Sequence, residues 1–229
     1  MVFPLIGYII VAVISFLCGT AAVVLKWDDI IVALKGKKLA VLGAREVGKT
    51  HLINFLSTGS IPTEYRQTAG AVETPKRRFQ LKELDLKLKE TLDVAGDKGA
   101  YAEWKKLFDE ADVVFYLLMA DRLFVGDAKV EVRVRDDLKH IGEWLEARSP
   151  RPRFFIIGTH CDLDDEFLAL SADRIGSYRD KFQELPVVKE LVARGGGHSQ
   201  TKVILGSMKT IQDTEKLVYG LFLQVNSHD

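Results

Sequence analysis

The strongest pattern in the chain is an alternation between short, nearly continuous apolar runs and longer segments with helical periodicity. Continuous apolar runs of this length are typical of strands buried on both faces of a parallel sheet. The segments between them place apolar residues three or four positions apart, as amphipathic helices do. The pattern therefore predicts an α/β domain with a mostly parallel sheet flanked by helices. The four predicted buried strands are residues 38–42, 112–119, 153–158 and 202–205.

A second pattern, with a period of two, occupies residues 79–89. Its apolar residues alternate with charged and other polar residues, which is typical of strands with one solvated face. Two such segments in succession predict a β-hairpin, and together with the four buried strands the hairpin gives a six-stranded sheet. The alternating apolar positions are Phe79, Leu81, Leu84, Leu86 and Leu88.

Residues 3–25 contain no charged residue. As a helix, this stretch would be about 34 Å long, enough to cross a hydrocarbon core of about 30 Å. The alternatives are a buried core helix, which is seldom uncharged all round, and a cleaved signal peptide, which usually begins with positive charges. We therefore expect residues 1–26 to form one transmembrane helix that precedes the domain.

Positive residues lie on one side only of this stretch. Lys26, Lys35, Lys37 and Lys38 follow it, and no lysine or arginine precedes it. Since positive residues mark the cytoplasmic end of a membrane helix, we expect a single-pass membrane protein with its domain on the cytoplasmic side. Residues 27–36 are predicted to form a short amphipathic linker, and residues 37–229 the domain itself.

Composition argues against several classes of function. Lysine and arginine together number 32, as do aspartate and glutamate, so the formal net charge is zero and a nucleic-acid partner is not expected. Cys18 and Cys161 lie far apart, which indicates no disulfide framework. The histidines are scattered and have no spacing typical of a zinc site.

The candidate chemistry begins directly after the first buried strand. Residues 43–50 read G-x-x-x-x-G-K-T, the phosphate-binding P-loop pattern, and residues of helix type follow. Glycines let the backbone wrap around phosphates, Lys49 would reach the terminal phosphates, and the Thr50 hydroxyl would bind Mg²⁺. The alternative is a plain strand–turn–helix connection with one exposed lysine. The predicted phosphate-binding residues are Gly43, Ala44, Arg45, Glu46, Val47, Gly48, Lys49, Thr50 and His51.

Two aspartates at other predicted strand ends extend this site. Asp93 begins a D-x-x-G motif, where it could hold Mg²⁺ through water while the N–H group of Gly96 contacts the last phosphate of a triphosphate. Asp162 follows the strand at 153–158. A carboxylate there can accept hydrogen bonds from the ring N–H and the exocyclic amine of guanine, which adenine cannot offer. All these loops would meet at the carboxyl edge of a parallel sheet.

Five motifs in this order resemble those of the small GTPases of the Ras superfamily, most closely the Arf/Arf-like branch. The resemblance covers about residues 37–226. Thr68 lies in T-A-G-A-V-E-T, which resembles the Arf switch I pattern apart from one residue of spacing. Residues 93–96 resemble the D-V-G-G of switch II, residues 159–162 resemble the guanine motif N/T-K-x-D, and residues 207–209 resemble S-A-K.

This resemblance implies a P-loop GTPase domain that binds GTP or GDP with Mg²⁺, and a protein effector that reads the switch loops. The implied Mg²⁺ ligands are Thr50, Thr68 and Asp93. The implied catalytic residues are Lys49, Thr68, Gly96 and Asp97. The further nucleotide-binding residues that the resemblance carries over are Thr68, Asp93, Gly96, Thr159, His160, Asp162, Ser207, Met208 and Lys209.

Four residues depart from the pattern of this family. Asp97 stands where Arf-like proteins have the glutamine that orients the attacking water, so we expect slow hydrolysis. His160 replaces the lysine of the guanine motif, and it either stacks on the base or has no ligand role. Met208 replaces the alanine of S-A-K, so the loop is expected to sit differently. Residue 2 is valine rather than the myristoylated glycine of the family, so the predicted membrane helix would take over the anchoring.

The sequence therefore predicts a membrane-anchored GTP-binding switch that hydrolyses GTP slowly and controls a partner at the membrane. The alternative is a hydrolysis-deficient GTP-binding scaffold or receptor subunit, and the architecture is similar to that of the β subunit of the signal recognition particle receptor. A P-loop ATPase or kinase is a third interpretation. Residues 164–200 form a longer segment than in Arf-like domains, and the sequence indicates no role for it beyond a partner surface.

Overall fold

The computed structural model describes residues 37–58, 98–171 and 174–226. The predicted transmembrane helix, the linker and the hairpin lie outside the described residues, as do the site residues Thr68, Asp93, Gly96 and Asp97. Among the helices that are described, none is both long enough and apolar enough to cross a membrane. The boundary of the domain at residue 37 therefore stays a prediction.

Strands alternate with helices along the described chain. The strands are β1 (Leu39–Gly43), β2 (Val113–Met119), β3 (Arg153–Thr159) and β4 (Thr201–Leu205). The helices are α1 (Lys49–Thr58), α2 (Lys98–Glu110), α3 (Ala120–Phe124), α4 (Ala128–Ala147), α5 (Asp165–Leu168), α6 (Ile175–Glu184), α7 (Pro186–Arg194) and α8 (Ile211–Asn226). A 3₁₀ turn spans Cys161–Leu163.

The four strands are parallel and lie side by side in the order β1, β2, β3, β4. Each continuous apolar run identified in the sequence forms one of them, with ends shifted by at most one residue. The prediction of an α/β domain with a parallel sheet is therefore confirmed. Because the strands are parallel, the loops that follow β1, β3 and β4 open at the same edge of the sheet.

The fold prediction is wrong in its strand count and in its membrane helix. In the described part of the chain the sheet has four strands rather than six, and no helix there could span a membrane. The four strands that form are continuous apolar runs, for which burial on both faces gives a strong signal. The two additional strands rest on the weaker alternating pattern of residues 79–89, which are not among the described residues.

Helices cover both faces of the sheet, because successive residues of a strand point to opposite sides. On one face, α1 and α8 pack over Val41, Phe115, Ile157 and their neighbours. On the other face, α2, α4, α6 and α7 pack over Leu42, Tyr116, Ile156 and theirs. With both faces covered, the strand ends and the loops that join them are the parts of this sheet that a ligand can reach.

A buried carboxylate joins three elements on the second face. Asp137 of α4 is 0% exposed. It accepts hydrogen bonds from the Tyr101 hydroxyl of α2 at 2.8 Å and from the Tyr116 hydroxyl of β2 at 2.9 Å. The Nε atom of Arg133 lies 2.9 Å from its Oδ1. Burial raises the pKa of Asp137, and these three partners oppose the shift. The network fixes α2 and α4 to the sheet.

We expect Asp137→Ala to lower the free energy of unfolding by about 3–5 kcal/mol, because it removes the carboxylate that a buried guanidinium and two hydroxyls share. Urea denaturation followed by circular dichroism measures the change. The control is Asp136→Ala, at the neighbouring exposed aspartate, for which we expect a change within about 0.5 kcal/mol. Equal losses in the two variants would contradict a structural role for the network.

Candidate nucleotide-binding site

The loop after β1 has glycine at both ends, where the backbone requires it. Gly43 has a φ of 143° and passes so close to the Leu117 carbonyl of β2 that a Cβ atom there would collide with it. Gly48 has a φ of 91°, and between them Glu46 has a φ of 65°, in the left-handed region that non-glycine residues rarely adopt. The chain thus turns sharply before α1 begins, as a loop that surrounds a phosphate must do.

Lys49 is the first residue of α1, and its ammonium group lies against this loop. Its Nζ donates to the Gly43 carbonyl at 2.8 Å and to the Ala44 carbonyl. Both acceptors are neutral, so a phosphate oxygen placed nearby would offer the ammonium a stronger, charge-assisted bond. Arg45 and Glu46 are exposed at the tip, whereas Val47 is buried in the core. The predicted phosphate loop therefore has the geometry that its role requires.

One hydroxyl ties the end of β3 to this loop. Thr159 is 1% exposed, and its Oγ1 lies 3.0 Å from the Val47 carbonyl and 3.0 Å from the Leu118 carbonyl of β2. A hydroxyl has a single proton, so it donates to one of these carbonyls at a time. The Nδ1 atom of His160 lies 2.9 Å from the same Oγ1 and can donate to it. Thr159 therefore links the end of β3 to the predicted phosphate loop.

Asp162 lies in the 3₁₀ turn that follows β3, and the loop after β4 holds it. The Ser207 hydroxyl donates to Asp162 Oδ1 at 2.7 Å, and the backbone N–H of Lys209 donates to that hydroxyl at 3.0 Å. The Lys209 ammonium lies 3.8 Å from Asp162 Oδ2. The Cys161 N–H donates to the Gly206 carbonyl at 3.3 Å and joins the two loops. The structure thus brings the predicted residues of the base-recognition site together.

Met208 connects this site to the phosphate loop. Its side chain is 8% exposed, and its terminal methyl lies so close to Gly48 that a Cβ atom at Gly48 would overlap it. A nucleotide held by Asp162 and by the loop would therefore lie alongside Met208. The sequence predicts Met208 as a binding residue through the S-A-K resemblance, but it gives no signal for the contact with Gly48. Only the fold brings these two residues together.

The two histidines of the site interact with each other. His51 occupies the first turn of α1, and His160 has a left-handed backbone with a φ of 61°. Burial is the main cause that lowers the pKa of His51, and repulsion from His160 lowers it further. Both rings therefore lie near the entrance of α1, where the backbone N–H groups of the helix are available to an anion.

Asp121 is a further acidic residue at this edge that the sequence analysis missed. It is the second residue of α3, two positions after β2 ends, and its Oδ1 is buried without a hydrogen-bond partner among the described residues. Its Oδ2 lies 3.6 Å from the Nε atom of Arg122. An unpaired buried acceptor can take a proton donor from a ligand or a water. The available signal was its position, since residues within the first few positions after a buried parallel strand lie near the carboxyl ends of the strands, where ligands bind in such sheets.

The site as described consists of three loops at one edge of the sheet. The loop after β1 is the predicted phosphate loop, the turn after β3 contains Asp162, and the loop after β4 contains Ser207. The predicted residues Thr68, Asp93, Gly96 and Asp97 are outside the described ranges, so their predicted roles stay predictions. Within those ranges, no group of three or more histidine, cysteine, aspartate or glutamate side chains could hold a metal ion.

We expect Thr159→Val, which is nearly isosteric, to lower the free energy of unfolding by about 1–2 kcal/mol, because the Val47 carbonyl loses its donor. It should also accelerate tryptic cleavage after the exposed Arg45, measured by mass spectrometry, because the loop is no longer braced. The matched control is Thr214→Val, which removes another buried hydroxyl, in α8, that donates at 2.9 Å to the carbonyl of Thr210 just before that helix. Equal cleavage rates after Arg45 in both variants would show that Thr159 does not restrain the loop.

We expect His51 to make the fold less stable in acid. Because its pKa is lower in the folded state, the unfolded chain takes up the proton first as the pH falls. The stabilisation is fully present above the ordinary histidine pKa of about 6.5, and it is lost as the pH falls through the lower pKa of the folded state. Urea midpoints at neutral and mildly acidic pH should therefore fall less in His51→Gln than in the wild type. His198→Gln, at an exposed histidine, is the control and should behave as the wild type does.

Neither a protein-family model nor a curated protein matches the chain. Among solved structures, it is similar to the Arl6/BBS3 small GTPase of Trypanosoma brucei with the bound nucleotide analogue GppNp, with a TM-score of 0.41 and 19% identity over 82% of this chain and 98% of that one. It is also similar to an ADP-ribosylation-factor-like GTP-binding protein, the small COPII coat GTPase SAR1 of Encephalitozoon cuniculi in complex with GDP. That similarity has a TM-score of 0.47 and 13% identity over 86% of this chain and 84% of that one. Similarities at this level assign no family, so the function has to be inferred from the residues of the site.

Proposed function

We propose that this protein is a GTP-binding switch that binds GTP and GDP with Mg²⁺ and hydrolyses GTP slowly. One observation supports this most directly: a carboxylate held by a serine hydroxyl lies at the same sheet edge as a phosphate loop. Asp162 follows β3, the loop follows β1, and the Thr159 hydroxyl at the end of β3 contacts the loop at Val47. A base and its phosphates can therefore bind at fixed positions relative to each other.

The chemistry of Asp162 favours guanine. Its Oδ1 accepts from the Ser207 hydroxyl, which fixes the plane of the carboxylate. A carboxylate has further lone pairs that can accept the ring N–H and the exocyclic amine of guanine. Adenine presents an acceptor where guanine presents the ring N–H, so its binding would leave the carboxylate unpaired, and such sites discriminate strongly. The Lys209 ammonium, 3.8 Å from Oδ2, lies on the exposed side of the site.

The loop after β1 supplies the phosphate-binding groups. The Lys49 ammonium, the N–H groups of the loop and the positive end of the α1 dipole all favour an anion at this place. Mg²⁺ usually binds through one or two protein oxygens together with phosphate oxygens and water. The described residues fit this mode, because Thr50 offers a hydroxyl in the first turn of α1 and no separate metal cage accompanies it there. When bound, the ion would neutralise phosphate charge.

Slow hydrolysis is part of the proposal because of two acidic residues. Asp97 replaces a water-orienting glutamine in the pattern that the sequence resembles, and it lies outside the described residues. Glu46 places an exposed carboxylate at the tip of the phosphate loop. Negative charge near the transferred phosphoryl group opposes the electrostatic stabilisation on which this chemistry depends. We further propose a cytoplasmic location, where GTP is present, and a protein effector that recognises the nucleotide-dependent loops.

We expect the full chain to bind GDP with Mg²⁺ much more tightly than ADP when both are titrated by calorimetry. Lys49→Ala should weaken GDP binding by at least tenfold, because a charged phosphate contact contributes about 1.5–3 kcal/mol. Asp162→Asn should weaken GDP binding and improve binding of xanthosine diphosphate, since an amide can donate to the 2-oxo group of xanthine. Asp165→Asn, at an exposed aspartate in α5, is the control and should leave both affinities unchanged. Equal affinity for ADP and GDP would refute the proposed base recognition.

Single-turnover hydrolysis of GTP distinguishes the switch from the scaffold alternative. A slow but measurable rate that disappears in Lys49→Ala, and that rises in Asp97→Gln, is the result we expect for a switch. Tight GTP binding with no hydrolysis in the wild type or in Asp97→Gln would instead favour a nucleotide-binding scaffold. Tight binding of ATP would favour the ATPase alternative.

A further inference from the structure

A tyrosine from α6 reaches the turn that carries Asp162. Tyr178 is 1% exposed, and its hydroxyl donates to Asp164 Oδ2 at 2.6 Å. Asp164 is two residues after Asp162, at the end of the same 3₁₀ turn. This hydrogen bond ties α6 to the first residue of the segment of residues 164–200, which the sequence leaves without a role, two positions after the base-recognition residue Asp162.

Asp164 holds the turn through three further bonds. Its Oδ1 accepts from the Glu166 N–H at 2.8 Å and caps α5. Its own N–H donates to the Cys161 carbonyl at 3.1 Å, and its carbonyl accepts from the Leu168 N–H at 3.1 Å. Each oxygen of its carboxylate therefore has a separate partner: Oδ1 accepts from the Glu166 N–H, and Oδ2 accepts from the Tyr178 hydroxyl. A carboxylate used in this way fixes the direction in which the chain leaves the turn.

Tyr178 is itself held rigidly. Its ring packs against Phe124 of α3 at a centroid distance of 4.7 Å and against Phe167 of α5 at 5.3 Å. Burial is the main cause that raises the pKa of Tyr178 far above its ordinary value, and the bond to Asp164 adds to the shift. The hydroxyl therefore keeps its proton and remains a donor at physiological pH.

A second contact between α6 and α5 cannot substitute for this bond. Lys181 forms an ion pair with Glu166, but the two side chains are 58% and 50% exposed. Solvent-exposed ion pairs restrain a structure weakly, because water and salt screen them. The partly buried bond between the Tyr178 hydroxyl and the Asp164 carboxylate is therefore the polar contact better suited to fix the turn.

We propose that Tyr178 is a positioning residue for base recognition: through Asp164 it fixes the turn in which Asp162 meets the base. This inference rests on the proposed function. It gives the segment of residues 164–200 a role, because α6 supplies the tyrosine and α7 packs α6 against the domain. In the absence of the bond, the Ser207 hydroxyl would still hold Asp162, but the turn would be anchored less firmly and the carboxylate would be less well placed to accept two donors from guanine at once.

The test compares GDP with inosine diphosphate, which lacks the exocyclic amine but keeps the ring N–H. Calorimetric titration of the full chain with Mg²⁺ gives the ratio of the two affinities. We expect the wild type to prefer GDP and Tyr178→Phe to reduce that preference about threefold to tenfold, because the bond between Asp162 and the exocyclic amine would be weakened rather than lost. Asp164→Asn cuts the same bond from the acceptor side, so the double variant should show little loss beyond either single variant.

The control removes a comparable bond elsewhere. Tyr116→Phe takes away a phenol hydroxyl that is buried to the same extent, 1% exposed, and that donates to the carboxylate of Asp137 at 2.9 Å. It should lower stability but leave the preference for GDP unchanged. An unchanged preference in Tyr178→Phe, or an equal loss of preference in Tyr116→Phe, would overturn the inference while leaving GDP binding intact. A wild type that does not prefer GDP would overturn the proposed function, and this inference with it.

Discussion

The bond between the Thr159 hydroxyl and the Val47 carbonyl is the contact on which the geometry of the site depends. Thr159 ends β3, Val47 belongs to the loop after β1, and the Leu118 carbonyl of β2 lies equally close to the same oxygen. The ends of β2 and β3 and the loop after β1 therefore meet at one buried atom, the hydroxyl oxygen of Thr159. A parallel sheet places its carboxyl ends at one edge, but loops there can still move independently. A shared hydroxyl makes the phosphate loop and the base-recognition turn parts of one rigid surface.

The strands could be predicted from the sequence because burial on both faces leaves an unbroken apolar run, which is a local signal. The sharp turn after β1 could be predicted for a related reason, since its glycines are required by the positive φ angles of positions within the turn itself. That this turn binds phosphate stays a prediction. The six-stranded sheet could not be predicted reliably. Its two additional strands rested on an alternating pattern of one phenylalanine and four leucines in residues 79–89, and such a pattern is compatible with more than one arrangement. Where the signal is short-range and strict, the prediction and the structure agree.

The contacts that hold the site together could not be predicted, because they join residues far apart in the chain. Thr159 and Val47 are separated by 112 positions, and nothing near either residue indicates the other. Met208 and Gly48 meet only because the parallel strands β1 and β4 have their carboxyl ends on the same side of the sheet. Asp137 has the sequence context of an ordinary charged residue on an amphipathic helix, yet it is buried against two tyrosines. From the sequence alone, a polar residue that is buried with hydrogen-bond partners cannot be distinguished from a polar residue at the surface.

The phosphate loop takes its shape from main-chain groups. Lys49 donates to the carbonyls of Gly43 and Ala44, and Thr159 lies against the carbonyl of Val47, so these contacts do not depend on the side chains at the tip. Arg45 and Glu46 are exposed there and carry opposite charges. Natural variation at these two positions can therefore alter the electrostatic potential at the loop without rebuilding its main chain. In evolutionary terms, the charge of this loop can change separately from its fold.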